Sequence, residues 1–164
     1  MENLGRIIVE HPFCNGLQPD SVELLISCAS NVRFEADQHL FREGGEANHF
    51  GLIREGKVAL EVAAERPRRI METAAEGEVL GWSWLVAPYR WHFDARAVGP
   101  VRAIAIDGKC LRAKCQKHHD LGYELLRRTV DMVGQRLEAE HFRLLDLYSA
   151  EGPLEPKVTS DRDF

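Results

Sequence analysis

Through the middle of the chain, apolar and polar residues alternate with a period of two. The runs "NVRFEA", "QHLFREG", "HFGLIREG" and "KVALEVAAE" carry it, most clearly where Val58, Leu60 and Val62 interleave with Lys57, Ala59 and Glu61. Turn residues separate the runs: Ala36-Asp37, Gly44-Gly45, Gly56 and Pro67. "RRIMETA", "EVLGW", "HFDARAV" and "VRAIAID" continue the pattern to Asp107. Short strands at this spacing predict an antiparallel sandwich or barrel. Ahead of them, Pro19 to Ala29 reads as a short helix, capped by Asp20 or Ser21, with Leu24, Leu25 and Cys28 facing the core. After Asp107 the period becomes helical. "GKCLRAKCQ" forms one short helix and residues 118–149 a long one, with no proline before Pro153. The expected organisation is a sandwich with its N-terminal helix over 12–117, the long helix over 118–149, and a disordered tail over 150–164, where charge, Gly and Pro mix without period.

The long helix carries two apolar stripes. Leu126, Val130, Val133, Leu137, Leu144 and Leu147 follow a heptad spacing, with Glu140 as its polar member. Leu121, Leu125, Met132, Phe142 and Leu145 lie on another side. A single broad stripe against the chain's own core is one reading. The other, which we prefer, packs one side on the sandwich and the second on a partner helix, as a parallel homodimer. Glu140 then fixes the register, and His141 could make association pH-sensitive.

Composition narrows the class. Apolar types make up 45% of 164 residues and charged types 29%, an ordinary globular balance. The net charge of -5 argues against direct nucleic-acid binding, which normally rests on a basic excess. The chain opens without a signal-peptide pattern, and no apolar run approaches the ~20 residues that cross a bilayer. A soluble, cytoplasmic protein without membrane attachment is expected, with its four cysteines (Cys14, Cys28, Cys110, Cys115) reduced.

Three segments, in order, resemble the cyclic-nucleotide-binding domain of bacterial catabolite-activator-type regulators. "FREGGEANHFGLIREGKVALEV" (Phe41 to Val62) is similar to that family's strand, Gly-rich turn, strand, Gly hairpin and strand. "EGEVLGWSWL" (Glu76 to Leu85) is similar to its phosphate-binding segment, and "FDARAV" with "VRAIAID" to the strands that follow. "RLEAEHFRLLDLY" is like the end of its dimerisation helix. The resemblance implies a mainly β, eight-stranded jelly roll (a double-stranded β-helix) with flanking helices and a long C-terminal dimerisation helix. It also implies a cyclic-phosphate pocket over the N-terminus of a short helix, completed by an Arg and by a Glu for the ribose hydroxyl.

The chain departs from the family at both of these residues. Where the family's Glu follows the second glycine, Gly81 is followed by Trp82, Ser83 and Trp84. The position of its Arg is occupied by Trp91. Arg90 lies next door, on the opposite face by strand alternation unless a bulge shifts it, and His92 follows. All three tryptophans of the chain fall in this stretch. Either the indoles fill the pocket, leaving a structural or protein-interaction module, or they stack a different planar or less charged ligand. Gly81, Trp82, Ser83, Arg90, Trp91 and His92 are the candidate ligand-binding residues. The family's regulators continue into a helix-turn-helix. Only fifteen residues follow Ser149 here, so a signal to an unidentified protein partner is expected rather than DNA contact.

No catalytic, cofactor or metal constellation emerges. Acidic residues fall at turns and on the solvent side of strands, and G-x-S-x-G, P-loop and H-E-x-x-H are absent. Cys115 and His119 share a helix face at i, i+4, but two ligands make no structural zinc site, and a buried thiol beside a solvated histidine is the simpler reading. The iron–sulfur sensors of the superfamily carry a cysteine cluster ahead of the sandwich. Only Cys14 lies there, so no cluster is expected.

Overall fold

A computed structural model describes residues 3–64 and 67–151. Eight strands among them form two antiparallel four-stranded sheets. The first has the order β1-β8-β3-β6, from Ala29–Phe34, Val101–Asp107, His49–Glu55 and Val79–Leu80. The second has the order β2-β7-β4-β5, from His39–Phe41, Asp94–Ala97, Val58–Glu61 and Ile70–Ala74. Consecutive strands are rarely neighbours, which is the crossed connectivity of a jelly roll. The mainly β expectation with flanking helices holds.

The predicted helix at the start of this region is α2, Pro19–Ile26, with proline at its first position, where the missing N–H costs nothing. It ends before Cys28. A seven-residue helix, α1 (Leu4–Glu10), precedes it, capped by the Asn3 side chain accepting from the Gly5 N–H. α3 (Gly108–Lys117) is capped by Asp107, whose carboxylate accepts from the Cys110 N–H. α4 runs His119–Glu151. Of the expected disordered tail over 150–164, Ala150 and Glu151 instead end α4, and residues 152–164 lie outside the described residues.

The chain divides into two compact units after Arg128. In the first, β3 and β8 show how side chains are sorted. Their register pairs Phe50 with Ile106 and Leu52 with Ile104, all fully buried on one face. Phe50 meets Phe13 edge-on and stacks on Trp84 at 4.8 Å. On the opposite face Gly51 pairs with Ala105, and Ile53 with Ala103. Ile53 and Ala103 join Val58, Leu60, Ala74, Leu80, Ala95, Ala97 and Val101 in the core between the sheets. Leu121 and Leu125, in the first turns of α4, are buried. Arg128 there donates to the Phe13 carbonyl at 2.8 Å and pairs with Glu124.

The second unit, from Thr129, is the remainder of α4. Of its predicted seam, Val130, Leu137, Leu144 and Leu147 are each 47–65% accessible, while Val133 is half-buried. Phe142 and Leu145 of the other stripe are exposed too. Glu140 pairs with Arg143 one turn on.

Two expectations are corrected by this fold. Cys28 and Cys110 are joined in a disulfide that ties the residue before β1 to α3, so the cysteines are not all reduced. Residues 82 positions apart are brought together because β1 pairs along its whole length with β8, and the two thiols lie just before β1 and just after β8. Cys14 and Cys115 are free, and burial raises both thiols, Cys14 to about 12. The acids, in turn, are not all at turns and on solvent faces. Glu61 and Asp94, paired across β4 and β7, are 1% and 2% exposed. Arg96 donates to Glu61 at 2.6 and 3.0 Å, and Arg68 at 3.4 Å. Asp94 accepts from the Glu43 N–H at 2.8 Å and lies within 4 Å of His39, Arg42 and Arg68. Guanidinium groups from three separate segments, those of Arg42, Arg68 and Arg96, are what make these buried charges tolerable.

Candidate functional site

A cavity of about 450 Å³ lies in the first unit, within the usual size range of small-ligand pockets. Its origin is the small-residue face of β3 and β8. Gly51, Ala103 and Ala105 project little, and the space they leave is walled by Val32, Phe34, Leu40, Phe41, Ile53, Leu80 and Trp91. Ser30, Arg42, Glu46 and His49 supply the polar side chains of the lining, and all four are exposed, which places them at the mouth.

Trp91 is held as a wall. Its ring stacks on Phe41 with centroids 3.7 Å apart and planes 7° from parallel. Its backbone is fixed on both sides, the N–H donating to Gly45 at 3.0 Å and the carbonyl accepting from Gly44 at 2.8 Å. The far edge of the indole abuts Gly81, which has φ +94°, a conformation that glycine adopts without strain.

A model of the cyclic nucleotide-binding domain matches residues 31–118, more than half of the chain. The chain belongs to the cyclic nucleotide-binding domain family. No curated protein matches it. Among solved structures, a Geobacter metallireducens protein with a proposed cyclic nucleotide-binding role is 26% identical over 84% of this chain and 99% of its own, with a TM-score of 0.75. A cyclic nucleotide-binding domain from Methylobacillus flagellatus (16% identity, 94% and 86% coverage, TM-score 0.76) shares the fold. So does the Thermus thermophilus catabolite activator protein (23%, 84% and 63%, TM-score 0.63).

Within this cyclic nucleotide-binding domain, the six candidate residues separate. Trp91 lines the cavity. Gly81 backs the Trp91 ring. Ser83 is buried and its hydroxyl is 3.2 Å from His92 Nδ1, while Trp82 stacks on the His92 ring at 5.2 Å. The hydroxyl and imidazole of the segment thus satisfy each other. Arg90 is exposed; its guanidinium donates to the Gly44 carbonyl at 3.2 Å, and its backbone bridges to Glu46.

The short helix implied by the resemblance is not formed. After Gly81 the chain makes a turn closed by the Leu85 N–H on the Trp82 carbonyl, and a second by Tyr89 on Val86. Trp84 is drawn 99% out of solvent against Phe50, and Pro88 disfavours a helical residue before it, so no helical run extends between them. The segment is fastened instead to α3. Arg112 donates to the Trp84 carbonyl and lies 4.1 Å over the Tyr89 ring.

The pattern of the sequence did not reveal Phe41, Gly51, Ala105 or Leu80 as cavity residues. Their signal is one of size, small against large across paired strands, and it needs the register to be read. No group of three metal-ligating side chains occurs among the described residues, and none of their helices is long and apolar enough to cross a membrane.

Proposed function

We propose that this protein is a ligand-sensing regulatory domain with an altered phosphate segment, which signals through α4 to a protein partner rather than to DNA. The observation that carries the reading is Trp91. An indole, not a guanidinium, forms the wall at the position that the resemblance assigns to the phosphate-binding Arg, and the cavity beside it keeps about 450 Å³. A net charge of -5 favours a protein partner. The exposed seam of Leu126, Val130, Leu137, Leu144 and Leu147 favours a homodimer formed through α4.

A thermal-shift panel of cyclic AMP, cyclic GMP, other nucleotides and uncharged metabolites tests the reading. A ligand at 100 times its dissociation constant adds about 2.7 kcal/mol. That is a rise of roughly 5–10 °C for a chain of this size. Silence across the whole panel would favour the alternative, a structural or protein-interaction module. The mutual closure of Ser83, His92 and Trp82 supports that second reading.

A further inference from the structure

We infer that the cavity takes an uncharged, predominantly apolar small molecule and rejects cyclic nucleotides. The inference deepens the ligand-sensing reading and rests on it.

The argument is one of where charge lies. Below the mouth the walls are hydrocarbon and aromatic carbon: Val32, Phe34, Phe41, Ile53, Leu80 and Trp91. An anion seated among them would lose its hydration and meet no buried cation, the costly case for any charged group. Arg42 is the one arginine of the lining; it stands at the mouth and shares its charge with Asp94 at 3.7 Å. Glu46 also lines the mouth and brings a negative charge there. The hydrogen bond from Asn48, with Lys109 and Arg90 nearby, holds the Glu46 carboxyl below the usual carboxylate range. The polar groups that a sugar-phosphate would need from the 81–92 segment are engaged elsewhere: Ser83 with His92, and Arg90 with the Gly44 carbonyl. An apolar ligand asks for none of them. It gains from leaving water for a preformed space, and a single polar end can reach Ser30 or His49 at the mouth.

The test uses the full chain and N-phenyl-1-naphthylamine, an uncharged fluorescent probe whose emission rises in apolar surroundings. Saturable binding is expected, with no displacement by millimolar cyclic AMP or cyclic GMP. Ala105→Phe, which adds a ring inside the cavity, weakens it at least tenfold. Val32→Phe does so from the neighbouring strand β1 and decides the matter if the first variant does not fold, as checked by circular dichroism. A signal that survives both substitutions places the probe on an exposed surface such as α4 and overturns the inference. Displacement by, or exclusive binding of, a cyclic nucleotide overturns the apolar ligand class but leaves ligand sensing intact. Failure of both probe and nucleotides to bind overturns the inference together with the reading beneath it.

Discussion

Gly81 and Trp91 are fitted to each other so closely that no other residue can replace the glycine without moving the indole. A methyl carbon on Gly81 would lie 2.7 Å from Cζ3 and 2.9 Å from Cη2 of the ring. With φ at +94°, a side chain would strain the backbone as well. Gly81→Ala should therefore destabilise the domain by about 2–3 kcal/mol, the two effects combined. Trp91→Leu alone should cost about 2–3 kcal/mol through lost packing on Phe41. In the double variant the steric part disappears, so the sum falls short of additivity by about 1 kcal/mol. Urea unfolding of the four proteins measures this; strict additivity would mean that the ring does not press on Gly81.

The Glu61–Arg96 pair predicts a larger loss. Arg96→Met leaves a carboxylate that is 1% exposed with only the 3.4 Å contact from Arg68. Removal of one partner from a buried pair costs about 3–5 kcal/mol. Replacing both, as Glu61→Leu with Arg96→Met, should recover much of that. Equal stability of the single and double variants would show that Arg68 alone suffices.

Stability should fall with acid in two stages. His11 is 6% exposed, and its Nε2 has no hydrogen-bond partner among the described residues. Burial lowers its pKa, against the opposing pull of the Ile53 and Glu78 carbonyls. The unfolded chain therefore binds the proton first, and stability drops as pH falls below about 6.5 towards the folded value. Glu61 is also lowered, first by the hydrogen bond from Arg96. Its contribution is complete above about pH 4.5 and is lost as pH falls through its folded value. His11→Phe should flatten the first stage while giving up about 1 kcal/mol at pH 8, since Nδ1 accepts from the Phe13 N–H at 3.2 Å. An unchanged profile between pH 7 and 5.5 in that variant would assign the first stage to another group.

The Cys28–Cys110 bond should be visible both as thiol count and as stability. Denatured protein purified without reductant exposes two titratable thiols, and reduced protein all four. Closing a loop between positions 82 apart is worth about 4.5 kcal/mol by loop entropy, so dithiothreitol or Cys110→Ser should lower the melting temperature by roughly 10 °C. Four thiols without reductant would show that the bond is not formed in solution.

Much of the sandwich was legible because alternation and glycine turns are local signals. β4 was readable from Val58 and Leu60 against Lys57, and its hairpin from Gly56 at φ +91°. What stayed hidden depends on partners far along the chain. Glu61 reads as a solvent-side residue until Arg96, 35 residues on, is folded over it. Cys28 reads as a core residue of a helix until β1 and β8 bring Cys110 to it. Trp91 could be placed at the pocket only through the family resemblance, by counting back from Arg96. Whether its ring blocks the space or borders it depends on Gly51, Ala103 and Ala105, whose smallness matters only once they are seen side by side.

Arg112 gives the 81–92 segment a mechanical consequence. One guanidinium grips that segment twice, at the Trp84 carbonyl and over the Tyr89 ring. It sits on a ten-residue rod that is bolted at Cys110 and continues within two residues into α4. The segment beside the cavity is therefore tied through one side chain to a helix that a covalent bond fastens at the start of β1.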